Sequence, residues 1–295
     1  MRFQVNELSP QYHFEITGMS YIGNPRDNTC LFITGKIKDK IGNLSGHQHC
    51  LVFADDSVDI PDELAKENCF LRTDHPAAMY GRFAVRMKEA EEKEQKDRTY
   101  QLMPGGYYLG ENVTLGNNVR IEPNCLLDHD VVIGDNAYIG FGSVIRHAVI
   151  GKDFHCHEHT VIGTESFNMA EDQGNVFRVP SFGSVQIGDH VDLGANVIVE
   201  RGYNGQTMIG DYAKIDSDVC IGHDAVLEDY ITITCGTCLA GRVRIRKHSY
   251  IGMNATVKQR VTVEENATVG MGSAVINDVK TDTSVFGNPA RKFNF

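Results

Sequence analysis

The hydrophobic positions across residues 209–262 recur every six residues: IGDYAK, IDSDVC, IGHDAV, LEDYIT, ITCGTC, LAGRVR, IRKHSY, IGMNAT, VKQRVT. Each unit opens on Ile, Leu or Val and carries a small or β-branched residue at its fifth place, from Ala213 and Val219 to Ala255 and Val261. An amphipathic helix spaces its apolar residues three and four apart, and a half-buried strand spaces them two apart, so a period of six fits neither. It fits a parallel β-helix. In that architecture each unit is a short flat strand plus a corner, three units close a triangular coil, and residues about eighteen apart stack on one another.

The period reaches back to Leu109 (LGENVT, LGNNVR, IEPNCL, LDHDVV, IGDNAY, IGFGSV), passes an irregular corner at 146–148, and continues through IGKDFH, CHEHTV and IGTESF. Two excursions interrupt it, FNMAEDQGNVFRVPSFGSVQ at 167–186 and a shorter one at 203–208. Each coil touches only its neighbours, so insertions at corners are tolerated and are common places for binding. Both excursions are candidate walls of a cleft. After VEENAT and VGMGSA the chain is expected to leave the β-helix as VINDVKTDTSVFGNPARKFNF, and an open coil end calls for a cap or a partner copy.

Residues 1–86 lack the six-residue step. CLFITG, HCLVFADD and NCFLRT read as strands, 61–65 opens a short helix and 75–87 reads as a longer one. MKEAEEKEQKDR at 87–98 reads as a solvated helix leading onward. The expected class is therefore mainly β, with a small N-terminal α/β domain and linker helix at 1–104 and a β-helix at 105–295.

Composition narrows the function. Lys plus Arg number 28 against 39 Asp plus Glu, a net charge of −11, which argues against generic nucleic-acid binding through a basic surface. An anionic ligand needs a local basic patch. No apolar run approaches the roughly 20 residues of a membrane span and the first residues lack a basic-then-apolar leader, so a cytoplasmic protein with no membrane span is expected. Of the 8 cysteines, Cys125, Cys156, Cys220, Cys235 and Cys238 fall inside hexads, which does not indicate a disulfide framework. Cys235-Gly-Thr-Cys238 lacks a second pair at zinc-finger spacing and reads as structural.

His223 holds the third place of IGHDAV, where a side chain points outward and an imidazole is available for proton transfer. By position alone it is equally an idle surface histidine, one of 12. FHCHEHTVIG places His155, His157 and His159 on one strand face, where a zinc site is one reading and a polar wall or subunit contact the other. No phosphate-binding loop or nucleophile elbow is present.

Two ordered segments, GNVFRVPSFGSVQIGDHVDLGANVIVERG and TMIGDYAKIDSDVCIGHDAV, resemble the UDP-3-O-acylglucosamine N-acyltransferase family of lipid A synthesis, and both excursions coincide with that family's. ITGMS, CLFITG and HCLVFADD follow its N-terminal domain more faintly. The resemblance implies left-handed coils, a homotrimer with clefts between neighbouring copies, and transfer of an acyl group from an acyl-CoA or acyl carrier protein to the amine of a nucleotide-linked amino sugar. No tightly bound cofactor and no metal is implied.

By the same resemblance His223 is the general base and Gly241 the oxyanion donor, Asp216 contacts the sugar, and Glu200 replaces the Asp of the family's Ile-Asp-Arg-Gly. Phe32 matches a nucleotide-binding Phe, but Ile33-Thr34-Gly35-Lys36 follows it where the family has Asn-Pro-x-Tyr, and Arg260 replaces a second histidine. The family's C-terminal helices find no match, and VFGNPARKF is instead similar to the ending of coenzyme A-dependent amino-sugar acetyltransferases. A dTDP-linked deoxyamino sugar is the alternative substrate. A zinc-dependent hydratase built on His155, His157 and His159 and a non-catalytic scaffold are the competing functions.

Overall fold

The structure, a computed structural model, describes residues 2–292. The chain forms two compact units. The first runs up to Asp97 and includes Phe167–Phe182. Its parallel sheet has four strands in sequence order, β1 (Gly18–Met19), β2 (Thr29–Ile33), β3 (Leu51–Ala54) and β4 (Cys69–Arg72). These strands read TCLFI, LVFA and CFLR beyond the first, near-continuous apolar runs of the kind that parallel strands covered on both faces require. Helix α1 (Asp62–Glu67) joins β3 to β4.

The two helical segments expected at 75–87 and 87–98 are one helix, α2 (Pro76–Gln95). Pro76 opens it, where a missing N–H costs no hydrogen bond. Ala78, Tyr80, Phe83, Ala84 and Met87 are buried, and beyond Met87 the helix is the charged run. The first excursion folds as a hairpin, β5 (Met169–Asp172) with β6 (Asn175–Arg178), on this helix. Arg82 Nε donates to Asp172 Oδ2 at 2.7 Å, and Gly81 leaves room for the Phe177 ring, which a Cβ would approach to 3.1 Å. The compact units divide the chain between Asp97 and Arg98 and count the hairpin with the first, whereas the sequence suggested 1–104 and 105–295.

The second unit, Arg98–Ser166 and the chain from Gly183, is the left-handed parallel β-helix, with three sheets of eight to ten strands. Pairing follows the expected stacking: Ile209 with Leu227, Leu227 with Ile245, Ile245 with Val263. At 146–148 the coil is one residue short, so Val132 pairs with Val149. Across the two excursions Ile150 pairs with Ile187 and Ile187 with Ile209, so neither breaks the ladder.

The first and fifth places from Ile209 to Val261 are all buried. Where the fifth place is polar its hydroxyl is satisfied: Thr237 Oγ1 donates to Gly252 O at 3.1 Å and Ser249 Oγ to Glu264 O at 2.8 Å. The fourth place is left-handed, for example at Asn118 (φ 58°), Asp224 (φ 56°) and Arg242 (φ 63°). That place turns the corner.

The coil does not end after VGMGSA. Val279 still bridges to Val263, Ser284–Phe286 pairs with the strand at Thr268–Val269, and only then does Arg291–Lys292 fold back antiparallel over the last edge. Phe293, the final residue of the VFGNPARKF segment, lies outside the described residues. Among the described residues no helix is long and apolar enough to cross a membrane.

Candidate active site

Three consecutive coils build one corner. Strands β7 (Ile198–Glu200), β8 (Cys220–Ile221) and β9 (Cys238–Leu239) lie side by side on one face, Ile198 beside Cys220 and Cys220 beside Cys238. Glu200 ends β7, and the corner after β8 and β9 carries His223 and Gly241. The β-helix therefore adds Glu200 to the pair His223 and Gly241, which lie eighteen residues and so one coil apart.

Corners along another edge of the β-helix tie the N–H of the third place to a side chain of an adjacent coil, as Asp189 N does to Asp211 Oδ1 at 2.8 Å and Asp211 N to Asp229 Oδ1 at 3.1 Å. At His223 the backbone N–H donates to Glu200 Oε2 at 3.0 Å. At Gly241 the N–H has no hydrogen-bond acceptor among the described residues.

The His223 ring is 18% exposed and lies over Gly241: a Cβ at 241 would sit 2.5 Å from Nε2 and within 2.9 Å of Cδ2 and Cε1. A Cβ there would require the ring to move. His223 Nδ1 is 2.8 Å from Asp224 Oδ2. An ionised carboxylate only accepts, so in the neutral imidazole Nδ1 carries the proton and Nε2 keeps its lone pair.

Asp224 is itself held from several sides. Its Oδ1 accepts from Tyr203 N at 3.2 Å, its N–H donates to buried Thr207 Oγ1 at 2.9 Å, and Arg242 Nε lies 3.6 Å from Oδ2. Tyr203 also presents its ring to His223, centroids 6.3 Å apart at 67°. Tyr203 and Thr207 belong to the short excursion at 203–208, which holds one carboxylate oxygen and the backbone N–H of Asp224. Asp224 escaped the sequence reading because Asp at the fourth place looks like an ordinary corner residue; its adjacency to His223 was the available signal.

The other candidates lie elsewhere. Asp216 sits at the preceding corner of the coil, across the β8 face from His223, in a cavity of about 580 Å³ with His157, Lys214 and Thr234. Phe32 packs on Tyr80 of α2 with ring centroids 5.1 Å apart. A cavity of the first unit, about 470 Å³, opens instead at the ends of the parallel strands, lined by Thr34, Gly35, Lys36, Asp55 and His75 among others. Arg260 stacks beyond Arg242 at the same left-handed place, and exposed Lys258 and Arg244 flank them, so the two coils after His223 carry a local basic patch.

The three histidines do not share a strand face. The strand there is only His155–Cys156; His155 meets Tyr138 at 5.2 Å, His157 lies past the corner in the Asp216 cavity, and His159 takes the left-handed place (φ 57°) against Phe141. Among the described residues no group of three or more His, Cys, Asp or Glu could hold a metal ion.

Two repeat families match the β-helix: "Bacterial transferase hexapeptide (six repeats)" over residues 112–147 and "Hexapeptide repeat of succinyl-transferase" over 242–276. The chain is 34% identical over 125 residues to a UDP-3-O-acylglucosamine N-acyltransferase of Polynucleobacter asymbioticus, covering 41% of this chain and 34% of that protein. It is 40% identical over 78 residues to UDP-3-O-acylglucosamine N-acyltransferase 2 of Legionella pneumophila strain Lens, covering 26% and 23%. These matches span about a third or less of the relatives' length. Among solved structures, a UDP-N-acetylglucosamine acyltransferase from Campylobacter jejuni shares the fold at a TM-score of 0.57 with 23% identity, covering 65% of this chain and 74% of that one. The Bacteroides fragilis counterpart shares it at 0.55 with 23% identity and the same coverage.

Proposed function

We propose that this chain, a member of the hexapeptide-repeat acyltransferase superfamily, moves an acyl group from a pantetheine thioester to the amine of a nucleotide-linked amino sugar, with His223 as general base. The observation that carries the reading is the imidazole set over Gly241, with Nδ1 committed to Asp224 and Nε2 left free. The neutral amine attacks the thioester carbonyl carbon while Nε2 takes its proton. The Gly241 N–H donates to the oxygen on which charge develops. The C–S bond then breaks, and the departing sulfur receives the proton from the imidazolium.

Glu200 positions the base through its hold on the His223 backbone. The patch of Arg242, Lys258 and Arg260 suits the phosphates of a coenzyme A or carrier-protein donor. The cavity beside Thr34–Lys36 would take the nucleotide, uridine or thymidine. Asp216 and His223 stand at different corners of one coil, which favours a homotrimer in which one copy's Asp216 corner faces the next copy's His223. Such a reaction on thioester donors belongs in the cytoplasm.

The test is direct. Purified protein is offered UDP- and dTDP-linked amino sugars with acetyl-CoA, longer acyl-CoAs and acyl carrier protein, and the N-acyl product is read by mass alongside release of free thiol. One productive pair is expected; no product from any pair, with the trimer intact by light scattering, sinks the proposal. Asp224→Asn keeps the shape but loses the charge facing the imidazolium, a charge-assisted bond of roughly 1.5–3 kcal/mol, so kcat should fall about 10- to 100-fold with KM little changed.

A further inference from the structure

Cys220 and Cys238 stand in register on β8 and β9, and their neighbours Ile221 and Leu239 are buried in the core. Alternation along each strand therefore turns both thiols outward, Cys238 exposed and Cys220 partly so. Adjacent strands lie about 4.8 Å apart, within the roughly 4.4–6.8 Å over which disulfides join Cα atoms. Cys235 has no such partner: its neighbours one coil away are Ser217 and Met253, and between it and Cys238 the Thr237 side chain points inward to Gly252 O. The partner of Cys238 is set by the coil, not by the Cys-x-x-Cys spacing.

Each thiol acts on the other: the neighbouring Cys220 lowers Cys238 to about 6 and Cys238 raises Cys220, while burial and the nearby Glu200 carboxylate raise both. Cys30, Cys50, Cys69, Cys125 and Cys156 are buried, and burial raises each of them. Thiolate character and access coincide at Cys238.

We propose that Cys220 and Cys238 form a thiol modification site that closes to a disulfide between adjacent coils by exchange with a low-molecular-weight disulfide. The Cys238 thiolate attacks one sulfur of the disulfide RSSR, forming Cys238–S–S–R and releasing RS⁻. Cys220 then attacks the Cys238 sulfur and releases the second RS⁻. Two RSH result, carrying the protons of the two cysteines, and RSSR is the oxidant reduced. The site lies on the face that leads to the His223 corner, but its chemistry does not depend on acyl transfer.

The test treats the native full-length protein with excess glutathione disulfide near neutral pH. Digestion at Asp224, Glu228 and Asp229 separates Cys220 from Cys235 and Cys238, so a link between them is visible by mass. Wild type should lose the mass of two hydrogens and yield a 220–238 peptide pair that a dithiol reductant reverses. C220A should retain one glutathione on Cys238, C238A should be modified at Cys220 at least about tenfold more slowly, and C235A should still form the link. Unchanged thermal midpoints establish that the variants fold. A Cys235–Cys238 link, a link between copies, a mixed disulfide that persists in wild type, or no modification of either thiol overturns the proposal.

Discussion

His223→Ala is expected to lower kcat by roughly 10²- to 10⁴-fold, the usual contribution of a positioned general base. The ring lies outside the core, and the inward residues of its coil, Val219, Ile221 and Ala225, are untouched, so the thermal midpoint and the oligomeric state should stay with wild type. KM for both substrates should move little, because Nε2 acts on a proton transferred only in the transition state. The substitution empties the space over Gly241, so added imidazole should restore part of the lost rate. Unchanged turnover on the correct substrate pair would remove His223 from the chemistry, and loss of folding would move it to structure.

The core was legible because a β-helix is packing repeated: Ile209, Ile215, Ile221 and Leu227 advertise their inward direction by spacing alone, and all are buried. The left-handed fourth place carried a weaker signal. Asn112, Asn118, Asn124 and Asn136 announce it in the early coils, since Asn tolerates that conformation. Tyr212, Tyr230, Arg242 and His248 hide it later. Side chains of distant number compensate there: His190, Tyr212, Tyr230 and His248 stack in one column with centroids 4.6, 4.9 and 5.2 Å apart.

The histidine cluster was misread because alternation holds only along a strand, and two-residue strands turn a corner before alternation can place three imidazoles together. The Asp224 contact was missed for the converse reason. Neighbours in sequence at a tight corner can bond each other, and two of the groups that hold Asp224 in place come from the excursion, which has no period to read. Of the candidate site, the stacking of His223 and Gly241 one coil apart followed from the period of eighteen; the contact of Glu200 with the His223 N–H, the distance of Asp216 from that corner and the orientation of the imidazole did not.

Gly241→Ala is expected to reduce kcat by about 10²-fold or more while leaving the β-helix folded. The requirement at 241 is space: no left-handed backbone is involved, and the atom a Cβ would strike at 2.5 Å is Nε2 itself. The imidazole is the movable partner. Its displacement breaks the Nδ1 bond to Asp224 or turns Nε2 away from the amine, and a shift of about 1 Å in a reacting group costs on the order of 10²-fold. If Gly241 serves only through its N–H, alanine, which keeps that N–H, should leave kcat near wild type. The double variant distinguishes the two roles. If alanine acts by moving the ring, His223→Ala with Gly241→Ala should be no slower than His223→Ala alone, because the group being displaced is already gone. A further loss in the double variant would show that the 241 backbone contributes to catalysis apart from the imidazole, as a donor to the thioester oxygen does.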